Sequence, residues 1–130
     1  MTYDEFLTRV IDDGIVAASE SYKDNDLKRE GAIAGFEACR GKSPFELTQR
    51  LDAAAKLVLA GRVLEPERYW RHVCFHAEIE WVCNVVSAIL LNQGASAPLI
   101  VNPTARGYLK AAEIVGVTNA EPWQLESRAE

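Results

Sequence analysis

Residues 65–94, EPERYWRHVCFHAEIEWVCNVVSAILLNQG, decide how this chain folds. Glu65-Pro66 places proline at a plausible first helical position, where its missing N–H costs nothing. Gly94 stands where a left-handed residue would end the helix. From Ile79 onward the run IEWVCNVVSAILL is apolar on nearly every face. A helix that is apolar all round belongs inside a bundle, not on its surface. The stretch predicts a long central helix over 65–93.

The same punctuation recurs outward from that helix. Ser43-Pro44, Asn102-Pro103 and Glu121-Pro122 repeat the proline start, and Gly41, Gly61 and Gly116 repeat the glycine stop. Ser43 with Glu46 forms a capping box, and Asn102 is a favoured N-cap. These marks predict helices over 2–22, 24–40, 44–60, 65–93 and 103–115, then a short tail over 117–130 with room for one helical turn after Pro122. Phe6, Leu7, Val10, Ile11, Ala17 and Ala18 share one face of the first helix. Leu47, Leu51, Ala54, Ala55 and Val58 share one face of the third. In the second, Leu27, Gly31, Gly35, Ala38 and Cys39 make an arc of small residues that lets a neighbouring helix approach closely. Leu99-Ile100-Val101 is the one β-like stretch and is too short to found a sheet. The expected fold is an all-α, single-domain bundle of about five helices around the fourth, with short connections that favour antiparallel neighbours.

Composition bounds the function classes. At 130 residues and 48% hydrophobic content, the chain can bury a core of its own, which sets aside wholesale disorder. A formal net charge of −5 with scattered basic residues disfavours nucleic acid as the partner. Cys39, Cys74 and Cys83 are an odd, unpaired set within apolar stretches, as expected of reduced cysteines in a cytoplasmic protein. MTYDEFLTRVIDDG lacks the basic-then-apolar order of a secretory signal. The most apolar run, 81–91, is shorter than a bilayer span and is interrupted by Asn84 and Ser87, so no membrane association is expected.

One polar stripe carries the functional question. At about 100° per residue, His72, His76, Glu80, Asn84 and Ser87 occupy a single arc of the fourth helix, one turn apart. Histidines four apart can both face one divalent metal, with Glu80 as a third ligand and an open position for water. Asp12, Asp13 or Glu37 could add a ligand from a facing helix. Without a metal, His76 and Glu80 could act as an acid–base pair. Against this, HExxH, paired Cys-x-x-Cys and a doubled Glu-x-x-His are all missing from the sequence. The plainer reading makes the stripe a solvated edge or an internal network with Arg106 or Tyr108. Asn84 and Ser87 are short and uncharged, which suits a semi-buried interface or a pocket wall. Arg106 adds a possible anion contact or a pair with Glu80.

The leading expectation is a non-enzymatic helical protein that forms a homodimer or binds a partner protein, using no cofactor. Its motive is the apolar excess of the fourth helix, with Tyr69, Trp70, Phe75 and Trp81 along it. The alternative is a metal-dependent or acid–base enzyme, or a small-ligand binder, working through His72, His76 and Glu80 with the stripe and Arg106 as pocket.

Overall fold

Four of the five helices, the fourth being the exception, begin where a side chain satisfies a free backbone donor. The computed structural model describes residues 1–94 and 101–116. The Thr2 hydroxyl accepts from the Glu5 amide, and the Glu5 carboxylate accepts from the Thr2 amide, closing a capping box that opens α1, Tyr3–Ser21. Asn25 caps α2, Asp26–Ala38, through the Lys28 amide. Ser43 and Glu46 form the anticipated box at the head of α3, Pro44–Leu64. One 3₁₀ turn, Pro66–Arg68, leads into α4, Tyr69–Asn92. Thr104 caps α5, Ala105–Val115, by accepting from the Gly107 amide. Among the described residues the chain is an all-α bundle of five helices with no strand.

Four details depart from the sequence reading. Gly61 does not stop the third helix, which continues to Leu64; the glycine is buried because the His72 ring lies on its Cα. The fourth helix becomes α-helical only at Tyr69, since Pro66 starts the tighter 3₁₀ turn. The fifth starts two residues later than expected, because Thr104 and not Asn102 supplies the capping oxygen. Residues 66–92 form one helical stretch long and apolar enough, by length and composition, to cross a bilayer, whereas counting 81–91 alone had fallen short; half of its most apolar window is buried in the bundle. Gly41, Gly94 and Gly116 do take positive φ, as helix-ending glycines should. The turn foreseen after Pro122 and most of the 94–102 connection lie outside the described residues.

α1, α2, α3 and α5 all pack on α4, whose Ile79, Val82, Cys83, Val85, Val86 and Ile89 are fully covered. The closest crossing is α2 on α4. A methyl group added at Gly31 would strike the Arg71 backbone carbonyl, and one at Gly35 the Phe75 carbonyl. The arc of small residues is therefore a contact between two backbones. Gly14 repeats the device for the Phe36 ring, and Gly107 for the Asn84 side chain. The thiols of Cys39 and Cys83 sit at zero exposure, pointing at the carbonyls of Gly35 and Leu47. Burial pushes both up to about 12, and burial raises Cys74 as well.

Candidate functional site

The polar stripe of α4 is divided among its neighbours. His72 turns towards α3, where its ring covers Gly61 and Nε2 lies 3.2 Å from Glu65 Oε1. At the other end, Asn84 and Ser87 belong to the α4–α5 junction. Asn84 Oδ1 accepts from the Thr104 amide and Nδ2 donates to the Thr104 hydroxyl, both at 3.0 Å. Ser87, fully buried, accepts from the Val101 amide at 3.3 Å. Each of these last two satisfies a backbone donor in the segment leading into α5. His76 is half-buried between the two groups, and Glu80 is exposed.

Among the described residues no three His, Cys, Asp or Glu side chains are grouped to hold an ion, His72, His76 and Glu80 included. The three acids considered as extra ligands are tied to cations. Asp12 and Glu37 share Arg40 at 3.0 and 2.8 Å, and Asp13 pairs with Arg9 and Lys110 at 3.1 and 2.8 Å. Burial works against the Asp13 carboxylate, but the bonds from Lys110 and Arg9 hold it below the usual range.

Glu80, Asn84 and Arg106 do come together, in a groove of about 450 Å³ where α1, α4 and α5 meet. The groove has a size typical of small-molecule sites. Its apolar wall includes Ala17, Phe36, Ala77 and Trp81, and its charged rim adds Asp13, Glu78 and Lys110. Ala17, which periodicity put on the apolar face of the first helix, is exposed and lines this groove. Arg106 lies over the Trp81 ring, 5.6 Å from its centroid, and does not pair with Glu80. Glu78 is half-buried, and burial alone pushes its carboxyl up to about 7. Sequence reasoning missed Glu78, although an acid among Cys74, Phe75 and Val82 was a visible anomaly. The Asp13–Lys110 pair had no local signal.

Exposed apolar side chains are most numerous on α3, with single ones such as Val16 on α1 and Leu109 on α5. The aromatic helix expected to need a partner buries half of its most apolar window within the bundle, leaving Leu91 and Trp70 exposed, the latter with Lys28 over its ring. In the second half of α3, Leu59, Val63 and Leu64 are 70–77% exposed and Leu57 is 46% exposed. Ala53, Leu57, Ala60 and Leu64 are all exposed and follow spacings of four, three and four, a heptad seam turned away from the core face Leu47, Leu51, Ala54 and Val58. Searches of family models, curated proteins and solved structures find no match to the chain.

Proposed function

We propose that this protein is a non-enzymatic helical module that pairs with a second copy of itself across the outer face of α3. The observation that carries the reading is the exposed heptad seam Ala53, Leu57, Ala60 and Leu64, with Leu59 and Val63 on its flank. Alanines alternating with leucines along such a seam permit close approach, and the leucines supply the apolar area. Charge favours an antiparallel two-fold pair. Arg50 just before the seam then meets Glu67 just beyond the end of the partner seam, whereas a parallel pair would set like charges together. The seam spans only ~16 Å at 1.5 Å per residue, which suits a weak dimer and not an obligate one.

Sedimentation or light scattering over a concentration series tests this. Dimerisation in the micromolar range is expected, and Leu57→Lys with Leu64→Lys should weaken it at least about tenfold without loss of helicity. A monomer at high micromolar concentration, or a dimer indifferent to both substitutions, overturns the proposal. A chain ending at Gly116 should dimerise as the full chain does. Dimers appearing only after that truncation would make the 117–130 segment the occupant of the face instead.

A further inference from the structure

The groove between α1, α4 and α5 carries a separate inference, because its charges are not all answered within the protein. Asp13 and Lys110 neutralise each other at 2.8 Å. Three charged groups on the same groove have no ion-pair partner among the described residues: the guanidinium of Arg106, whose contact is the Trp81 face, and the carboxyls of Glu78 and Glu80. One unanswered cation beside two unanswered acids repels a phosphate or dicarboxylate and attracts a ligand of the reverse pattern. The wall between them is apolar, formed by Ala17, Phe36, Ala77 and Trp81, and suits a methylene chain.

We propose that this groove binds a free basic amino acid, a molecule with one carboxylate, two cationic nitrogens and an aliphatic stem. Its carboxylate engages Arg106, which can donate two parallel N–H bonds to a planar anion. Its side-chain ammonium meets Glu80 and its α-ammonium Glu78, and its stem lies along Trp81. The position of Glu78 supports this division. It is set against apolar walls with burial as the one cause of its raised pKa, the behaviour of a carboxyl that lacks a cation. The groove lies on α1, α4 and α5 and the dimer seam on α3, so the two proposals stand independently.

The test titrates the full chain with L-lysine, following total tryptophan fluorescence and calorimetric heat. Norleucine lacks the side-chain amine and cadaverine lacks the carboxylate, and each should bind at least about tenfold more weakly than lysine. Arg106→Gln should erase the preference for lysine over cadaverine, and Glu80→Gln the preference for lysine over norleucine. Both positions are exposed, so both variants should keep the parent helicity. No binding of lysine at about 10 mM, or equal binding of the three probes, overturns the proposal. So do selectivities unchanged by both substitutions.

Discussion

Replacing Gly31 by alanine sets two effects of similar size against each other. In a helix interior the change should stabilise by about 1 kcal/mol, the difference in helix propensity between the two residues. At Gly31, however, the added methyl meets the Arg71 backbone carbonyl, which cannot rotate away as a side chain can. Relief requires α2 and α4 to separate beside Ala32 and Phe36, both at or below 1% exposure. Over-packing of this kind costs about 1–3 kcal/mol, and a backbone obstacle places it at the upper end. The net expectation is a loss of about 2 kcal/mol, or a Tm lower by roughly 5–10 °C for a chain of this length. Gly61→Ala is the control. It gains the same propensity, but its methyl meets the His72 ring, a side chain that can shift at the expense of its contact with Glu65, so its net loss should be smaller than that of Gly31→Ala. Thermal and urea unfolding followed by circular dichroism would compare the two. A Gly31→Ala variant as stable as the parent, or one indistinguishable from Gly61→Ala, refutes the backbone-contact reasoning.

Asn84→Ala removes both bonds to Thr104 and should cost about 2 kcal/mol in urea unfolding, while Asn84→Asp, which keeps an acceptor for the Thr104 amide, should cost about half as much. Ser43→Ala opens the capping box of α3 and should lower stability by about 1 kcal/mol in the same assay. Glu78 gives a pH signature: its folded pKa is raised, so the folded state holds a proton that the unfolded state has lost, and stability falls as pH rises from the ordinary glutamate value to about 7. Glu78→Gln should therefore raise Tm at about pH 8 and leave it nearly unchanged at about pH 4; equal shifts at both would mean that burial does not perturb this carboxyl.

Local chemistry made much of the fold legible. The Ser43–Glu46 box and the glycines at 41, 94 and 116 are short-range signals, each fixed by a few neighbouring atoms. Gly31 and Gly35 were legible as well, since small residues one turn apart have few uses besides close packing. Gly61 was not, because a glycine near a helix end looks like a stop until the direction of α4 shows an imaginary methyl running into His72. The stripe was legible only in part. Its four-residue spacing correctly put five residues on one face, but which neighbour claims each depends on where α3 and α5 lie in space. Asp13 and Lys110 are 97 residues apart, so only the folded chain joins them. On α3 both apolar stripes are written in the sequence, and taking the first as core drew attention away from the second.

The sealed thiols give the protein an internal clock for its own opening. A cysteine held at zero exposure and near pKa 12 has almost no thiolate to offer an alkylating reagent while the bundle is closed. Labelling at Cys39, just past the end of α2, and at Cys83, in the middle of α4, must therefore wait for those segments to come apart. Cys74, at 6% exposure, would react after a smaller excursion. The order in which the three are modified would separate fraying at the bundle edge from unfolding of the whole, with no reporter introduced into the chain.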